Sequence, residues 1–458
     1  MSPFLLIILI AYLGARAHRH IFTLLFYIFI AAGCSAPNPG LLEKRPESPS
    51  AEPTQLPVPQ DNPSKSPFLI TKMSSEGAPS ARLTHNSIIS SDIIFILGGH
   101  NGRESISGGG IYNITTDIWK PFNFPPFMMP RIHLGAAAGT VDSHEVIFYW
   151  GGALFEPGGS DIRGDSFNDG AIYDISANEW QELGDKAHAP SKRSGHIISF
   201  CAGRFVVFGG SHFGTMLSDG GIYDPVIQKW TALASSETSG PPARENPSFF
   251  CDEQNRHLLI YGGFSSSPLS DLWQLDLSAD LSDARYPLWQ EIEIQNRALP
   301  SYRPMVYMDS TQILIYGGYR ENPVYELTKI SYISPSGATA GNLWRDDGLD
   351  PLRYHPAPSI SDIKNLISFG EFYFVLGYNS SVGASISYIN LGEKENTDYK
   401  DSKSELSWYP LALPPDISAN WIGYTHQVFK DKIIMWGARD NGLIPNSNGI
   451  IISRVSSL

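Results

Sequence analysis

An apolar strand that ends in a Gly-Gly dyad recurs along this chain and constrains its fold more than any other feature. The dyads stand at Gly98-Gly99, Gly151-Gly152, Gly209-Gly210, Gly262-Gly263 and Gly317-Gly318, with weaker copies at Gly377 and Gly437. Counted from the first glycine of each, the spacings are 53, 58, 53, 55, 60 and 60 residues. The clearest copy, residues 193–233, reads as four short strands. An alternating run spans His196 to Cys201 and an apolar run Phe205 to Phe208; Gly-Ile-Tyr-Asp follows at 221–224, then a last strand carrying Trp230. Short β-branched and apolar runs broken by Gly, Pro and Asp are strand-and-turn grammar. One such unit cannot bury both of its faces alone, so it requires stacked neighbours.

In the first three units a Tyr stands seven residues before a Trp: Tyr112/Trp119, Tyr173/Trp180 and Tyr223/Trp230. Later units stretch that connection, ending at Trp289, Trp344 and Trp408. A Gly-Gly, Tyr, Trp period of about 50 residues is a kelch signature, and the chain resembles the kelch-repeat family over roughly residues 66–458. The resemblance implies an all-β fold, a kelch-type β-propeller of four-stranded antiparallel blades; it says little about function, since one fold hosts many activities. The dyad glycines would allow close backbone approach, and the Tyr and Trp rings, Trp230 among them, would fill the wedges between blades. The last unit shows three strands (Thr425 to Phe429, Lys432 to Gly437, Gly449 to Arg454) and no Trp strand. The strand from Pro67 to Thr71 is therefore expected to supply the fourth and close the ring, removing its open edges. This count gives seven blades, with six as the alternative because the last two copies are degenerate.

The segment before the repeats reads differently. In residues 1–33, basic Arg16 and Arg19 precede an apolar run, Ile21 to Ile30, that ends in Ala31-Ala32-Gly33 before Cys34. This pattern describes a secretory signal, and it resembles the lipobox of bacterial lipoproteins, with Ala31 where Leu is usual; the resemblance implies lipidation of Cys34. The apolar run is shorter than the roughly 20 residues that span a bilayer. Residues 34–65 are rich in Pro, Ser and Glu and free of aromatics, the composition of a disordered, extended tether. The expected placement is the bacterial cell envelope: lipid-anchored at the outer membrane, on its periplasmic face or at the cell surface.

A net charge of −13 argues against nucleic acid as a partner, because phosphate binding needs a dominant basic field. The chain shows no Gly-x-Ser-x-Gly elbow, Walker loop or dinucleotide fingerprint. His85, His196 and His426 recur with the repeat and read as structure, so no metal and no cofactor is expected. Galactose oxidases share the kelch propeller, but their copper site takes two Tyr, two His and a Tyr–Cys crosslink. That set is not assembled here, with two cysteines after Cys34. Those two, Cys201 and Cys251, end the first strands of adjacent units, and equivalent positions on neighbouring blades are expected to sit too far apart to pair.

The remaining constellation is an arginine opening the first strand of six units: Arg82, Arg131, Arg193, Arg244, Arg303 and Arg353. Guanidiniums converging on one channel mouth would form a receptor for carboxylates or phosphates. The alternative is that they bridge blades through backbone carbonyls. The bridging role is the favoured one; in kelch adaptors that capture acidic peptides a similarly placed Arg contacts the ligand, which adds some weight to the receptor without identifying a ligand. Recognition is expected on the 153–170 and 331–350 loops, long enough to be functional; Glu156, Asp161 and Asp165 lie in the first. The expected function is a monomeric, envelope-anchored binding module for a protein or glycan partner, with acidic groups met at the channel mouth. The enzymatic alternative is a carbohydrate-active propeller resembling a sialic-acid mutarotase or, less so, a galactose oxidase.

Overall fold

The computed structural model describes residues 66–455 except 158–162, 184–185, 234–239, 279–288, 298, 302–303, 319–325, 333–337, 346–365, 380–382, 392–408, 412–424 and 440–444. The signal and tether expectations, Cys34 included, lie outside the described residues.

Among the described residues the strands assemble into seven large sheets, six of four strands and one of five. Blade 1 comprises Asn86–Ser90, Ile93–Leu97, Gly108–Asn113 and Ile118–Asn123. Blade 2 comprises Gly135–Val141, His144–Trp150, Gly170–Asp174 and Glu179–Glu182, and blade 3 Ile197–Cys201, Arg204–Phe208, Gly220–Asp224 and Lys229–Leu233. Blades 4 to 6 begin at Ser248, Met305 and Ile367. In blade 5 the short strand Ile294–Gln295 adds a parallel fifth strand beside Ala338–Arg345. The inner strands of blades 7, 1, 2, 3, 4 and 5 neighbour one another in turn around an axis.

Blade 7 is composite, as the missing Trp strand predicts. Its three C-terminal strands, Thr425–Phe429, Lys432–Arg439 and Pro445–Arg454, are completed by Phe68–Lys72, with Phe68 opposite Arg454 and Lys72 opposite Ile450. The N-terminal strand is therefore the latch of the ring. Its Phe68 side chain lies 4.9–6.0 Å, ring to ring, from Phe369, Phe372, Phe374 and Tyr388 of blade 6.

The core is divided among the wedges between blades. One buried cluster fills each of the seven wedges, for example Phe148, Trp150, Phe205, Tyr223 and Trp230 between blades 2 and 3. The wedge between blades 7 and 1 holds Ile434 and Trp436 against Ile96, Tyr112 and Trp119. Trp230 is a core residue, packed 4.7 Å from Trp150 of the preceding blade. Blade 2 opens with Gly135-Ala-Ala-Ala-Gly139 for a steric reason: a Cβ at Gly139 would meet the Phe200 ring of blade 3 at 2.5 Å.

The two cysteines depart from expectation: Cys201 and Cys251 form a disulfide with Cα atoms 5.6 Å apart. The blades splay outward, but their inner strands converge on the axis. Repeat-equivalent inner positions on neighbours therefore fall within bridging distance.

Candidate functional site

The dyad end of the propeller is built from the arginines and the glycines together. Arg82, Arg131, Arg193 and Arg244 are all fully buried and repeat one arrangement. In each, Nε donates to the carbonyl two residues back: Ser80, Met129, Ser191 or Pro242. One terminal nitrogen donates to the carbonyl of the first dyad glycine of the same blade, Gly98, Gly151, Gly209 or Gly262, at 2.8–3.1 Å. The outer edge of the guanidinium meets a residue at or near the start of the third strand. In blades 2, 3 and 4 this is a carboxylate: Asp169 at 2.5 Å, Asp219 at 3.0 Å and Asp271 at 2.6 Å. In blade 1 the carbonyl of Gly108 takes that place, and the hydroxyl of Ser80 accepts the last nitrogen.

The backbone of each arginine also serves the neighbouring blade. The second dyad glycines Gly99, Gly152 and Gly210 donate to the carbonyls of Arg131, Arg193 and Arg244. The glycines are required by this approach: a Cβ at Gly98 or Gly209 would sit 2.6 Å from the carbonyl oxygen of Arg131 or Arg244.

These four arginines are thus brought to one end of the ring, as the repeat predicts, but their donors point into their own blades. Arg193 places all three of its nitrogens on Ser191, Gly209 and Asp219. Arg303 and Arg353 lie outside the described residues. Sequence reasoning missed the partners Asp169, Asp219 and Asp271. The available signal was positional: they stand 38, 26 and 27 residues after the arginine, Asp169 and Asp219 just before the third strand of their blades and Asp271 within it.

What faces solvent at this end is different chemistry. The carboxylates of Asp169 and Asp219 stay 30% and 39% exposed. The stretch read as a recognition loop at 153–170 folds partly as a hairpin, Ala153–Phe155 with Arg163–Ser166, and the Phe155 ring stacks on His100 of blade 1 at 3.9 Å. Exposed Asp165 pairs with Lys192 of blade 3 at 2.6 Å. That hydrogen bond holds the Asp165 carboxyl below its usual range, and His212 adds to the effect. Glu156 is exposed and Asp161 lies outside the described residues. A second hairpin, Ser211–His212 with Thr215–Met216, rises from blade 3, and the Ser211 hydroxyl donates to Glu245 of blade 4 at 3.0 Å. Within the other expected loop, 331–350, Ala338–Arg345 forms the fourth strand of blade 5, and 333–337 and 346–350 lie outside the described residues.

The histidines pack between blades. The ring of His85 stands edge-on to Trp436 at 5.1 Å and its Nε2 lies 2.9 Å from the Thr425 hydroxyl of blade 7. Burial first, and then the Arg82 charge, lower its pKa to about 3; burial lowers His426 to about 4. Among the described residues the one cluster with metal-ligand spacing is Cys201, Cys251 and Glu253. Its two sulfurs are bonded to each other and offer no thiolate.

Comparisons place this geometry among known proteins. A sequence profile described as the KLHDC2/KLHL20/DRC7 Kelch-repeats domain matches residues 85–318. Kelch domain-containing protein 3 of Bos taurus is 24% identical over 257 residues, covering 54% of this chain and 63% of that protein. Host cell factor 1 of Homo sapiens is 28% identical over 225 residues, 43% of this chain and 10% of that protein. The matches thus span less than two thirds of these relatives' own length. A fungal alcohol oxidase of the AA5 family, solved in complex with copper, superposes with a TM-score of 0.55 at 13% identity, covering 84% of this chain and 76% of that one. At that identity the likeness is one of fold.

Proposed function

The chain belongs to the kelch-repeat family, and from that premise we propose that it is a protein-binding module whose recognition surface is the dyad-end rim of blades 1 to 4. The observation that carries this reading is the use of the ionisable groups there. The buried guanidiniums are tied to their own blades' carbonyls and carboxylates, so they serve the scaffold. The side chains left to face a partner sit on loops and hairpins along a broad rim: Glu156, Asp165, Lys192 and the tip of the Ser211–Met216 hairpin. A catalytic funnel needs an acid and a base converging within hydrogen-bond reach. A rim of hairpins on a rigid ring instead suits recognition of another macromolecule. We extend the proposal to location: residues 1–33 act as a signal, Cys34 is lipidated and residues 34–65 tether the propeller at the bacterial envelope. The disulfide between Cys201 and Cys251 supports an oxidising compartment.

Photo-crosslinking in the native cell tests the binding reading. A photoreactive side chain at position 192 is expected to give a discrete protein adduct. The same group at position 227, in the turn at the opposite end of blade 3, is expected to give none. Equal labelling from both ends, or sugar turnover by the purified chain, would overturn it. Loss of membrane association in Cys34→Ser is the expected sign of the anchor.

A further inference from the structure

The tip of the Ser211–Met216 hairpin carries a residue that its backbone does not favour. His212 pairs directly with Thr215, leaving Phe213 and Gly214 as the two turn residues. Both have positive φ, 47° and 78°, as a type I′ turn requires. Such turns favour Asn-Gly, because Asn and Gly tolerate the left-handed region and a bulky side chain does not. A phenylalanine there is a strained choice, and it is not repaid by burial: Phe213 is 69% exposed, its ring tilted against the His212 ring at 4.4 Å. A large aromatic held at a conformational cost and presented to water is an observation that folding does not account for.

The charges around the hairpin indicate what it would meet. Arg193 and Arg244 beneath it are fully buried. Asp219 lies on the same loop, Asp165 is close enough to feel the His212 ring, and Glu245 accepts from Ser211; the contacting cation is Lys192. Asp219 is paired with buried Arg193 and Asp165 with Lys192, so the surface here carries a small excess of carboxylate charge beside one exposed ring, in a chain of net charge −13. We propose that this hairpin anchors a basic segment of the protein partner, with an arginine or lysine of that segment lying over the Phe213 ring among these carboxylates. Aromatic faces attract guanidinium and ammonium groups, and an acidic rim would steer such a segment onto it. This inference rests on the protein-binding reading and adds the partner's chemistry and its contact point. It also reverses the expectation of an acidic ligand, because burial removes the arginines from the surface while two of their carboxylate partners, Asp169 and Asp219, stay partly exposed.

The test pans a random dodecapeptide display library against the full chain and against Phe213→Asn, with Asp219→Asn as a second variant. Selected peptides are expected to be rich in Arg and Lys, and to bind Phe213→Asn at least about tenfold more weakly. Their affinity should fall several-fold between 50 and 200 mM salt, roughly as screening shortens. Phe213→Asn should melt at the same temperature or higher, because asparagine suits the turn; a purely structural Phe213 would lower it. Acidic or neutral selected peptides would overturn the basic-partner inference. So would basic peptides that bind wild type and Phe213→Asn equally, or a lower melting temperature in Phe213→Asn. In each case the crosslink from position 192 would still decide the protein-binding reading separately.

Discussion

The N–H of Gly152 donates to the backbone carbonyl of Arg193 at 3.0 Å, tying blade 2 to blade 3 at the dyad end. The guanidinium of the same arginine donates to the carbonyl of Gly209, the first dyad glycine of its own blade, at 2.9 Å. One residue thus links two dyads, and the link repeats from Gly99 to Arg131 and from Gly210 to Arg244. The sequence period is the trace of this joint.

The joint should be intolerant of a methyl group. Gly152 has φ +93° and a Cβ there would lie 2.8 Å from the Ile132 carbonyl oxygen, whereas Gly102 has φ +89° with nothing within 4 Å. Gly102→Ala is expected to cost about 1 kcal/mol from backbone strain alone. Gly152→Ala adds the clash and is expected to cost roughly 3 kcal/mol or more. Urea unfolding of both variants separates the two effects, and equal costs would show that the close approach is unimportant.

A second prediction concerns the buried pairs. Arg244 and Asp271 meet through two terminal nitrogens at 2.8 and 2.6 Å, and Asp271 is only 10% exposed. Burial pushes the Asp271 carboxyl up, but the Arg244 hydrogen bond and charge outweigh it and hold it below its usual range. Removing one partner strands the other, so Arg244→Ala should cost about 3–5 kcal/mol. The double variant Arg244→Ala/Asp271→Ala should cost clearly less than the sum of the two single changes. Strict additivity in a denaturant double-mutant cycle would mean that the pair is not coupled.

The parts of this architecture that the sequence made legible are those that repeat as patterns of residue type. The dyads, the Tyr–Trp spacing and the missing last strand led to the blade order and to closure by Phe68–Lys72. Side-chain direction was not legible. The recurrence of an arginine shows that a position matters, yet the same period fits a guanidinium turned to the channel or one folded back onto Gly209 and Asp219. Choosing between them required the register that sets Phe208 against Gly220, which puts Asp219 beside the dyad. The disulfide was missed for a related reason: a period along the chain carries no information on how tightly inner strands converge at the axis. Phe213 was invisible because an aromatic in a polar loop has no periodic partner to mark it.

The bridge between blades should matter for stability as well as for placement. Cys201 and Cys251 are separated by 50 residues along the chain. Closing a loop of that size constrains the unfolded chain by about 4 kcal/mol on the chain-entropy account. Reduction, or the double variant Cys201→Ser/Cys251→Ser, should lower the unfolding midpoint accordingly while the blades still assemble, since the wedge between blades 3 and 4 keeps Val206, Phe208, Leu258 and Ile260 in contact. An unchanged midpoint under full reduction would mean that the two inner strands are held as well without the bond.

The last prediction is a pH dependence with a defined sign. A histidine in the unfolded chain titrates near 6.5, whereas burial lowers His85 to about 3 and His426 to about 4 in the fold. Between those values the unfolded chain binds more protons than the folded one, so stability rises with pH across this window. It is fully present above about 6.5 and is lost as pH falls toward 4, at about 1.4 kcal/mol per pH unit for each histidine. The loss should fall on ring closure, because His85 of blade 1 meets Thr425 and Trp436 of blade 7. Asp271, held below its usual range, adds its own loss only at lower pH, below about 3.8. Urea midpoints measured from pH 7 to pH 4.5 should therefore slope downward, and His85→Gln should remove about half of that slope. A slope unchanged by His85→Gln would assign the proton uptake to other groups and leave the closure of the ring insensitive to acid.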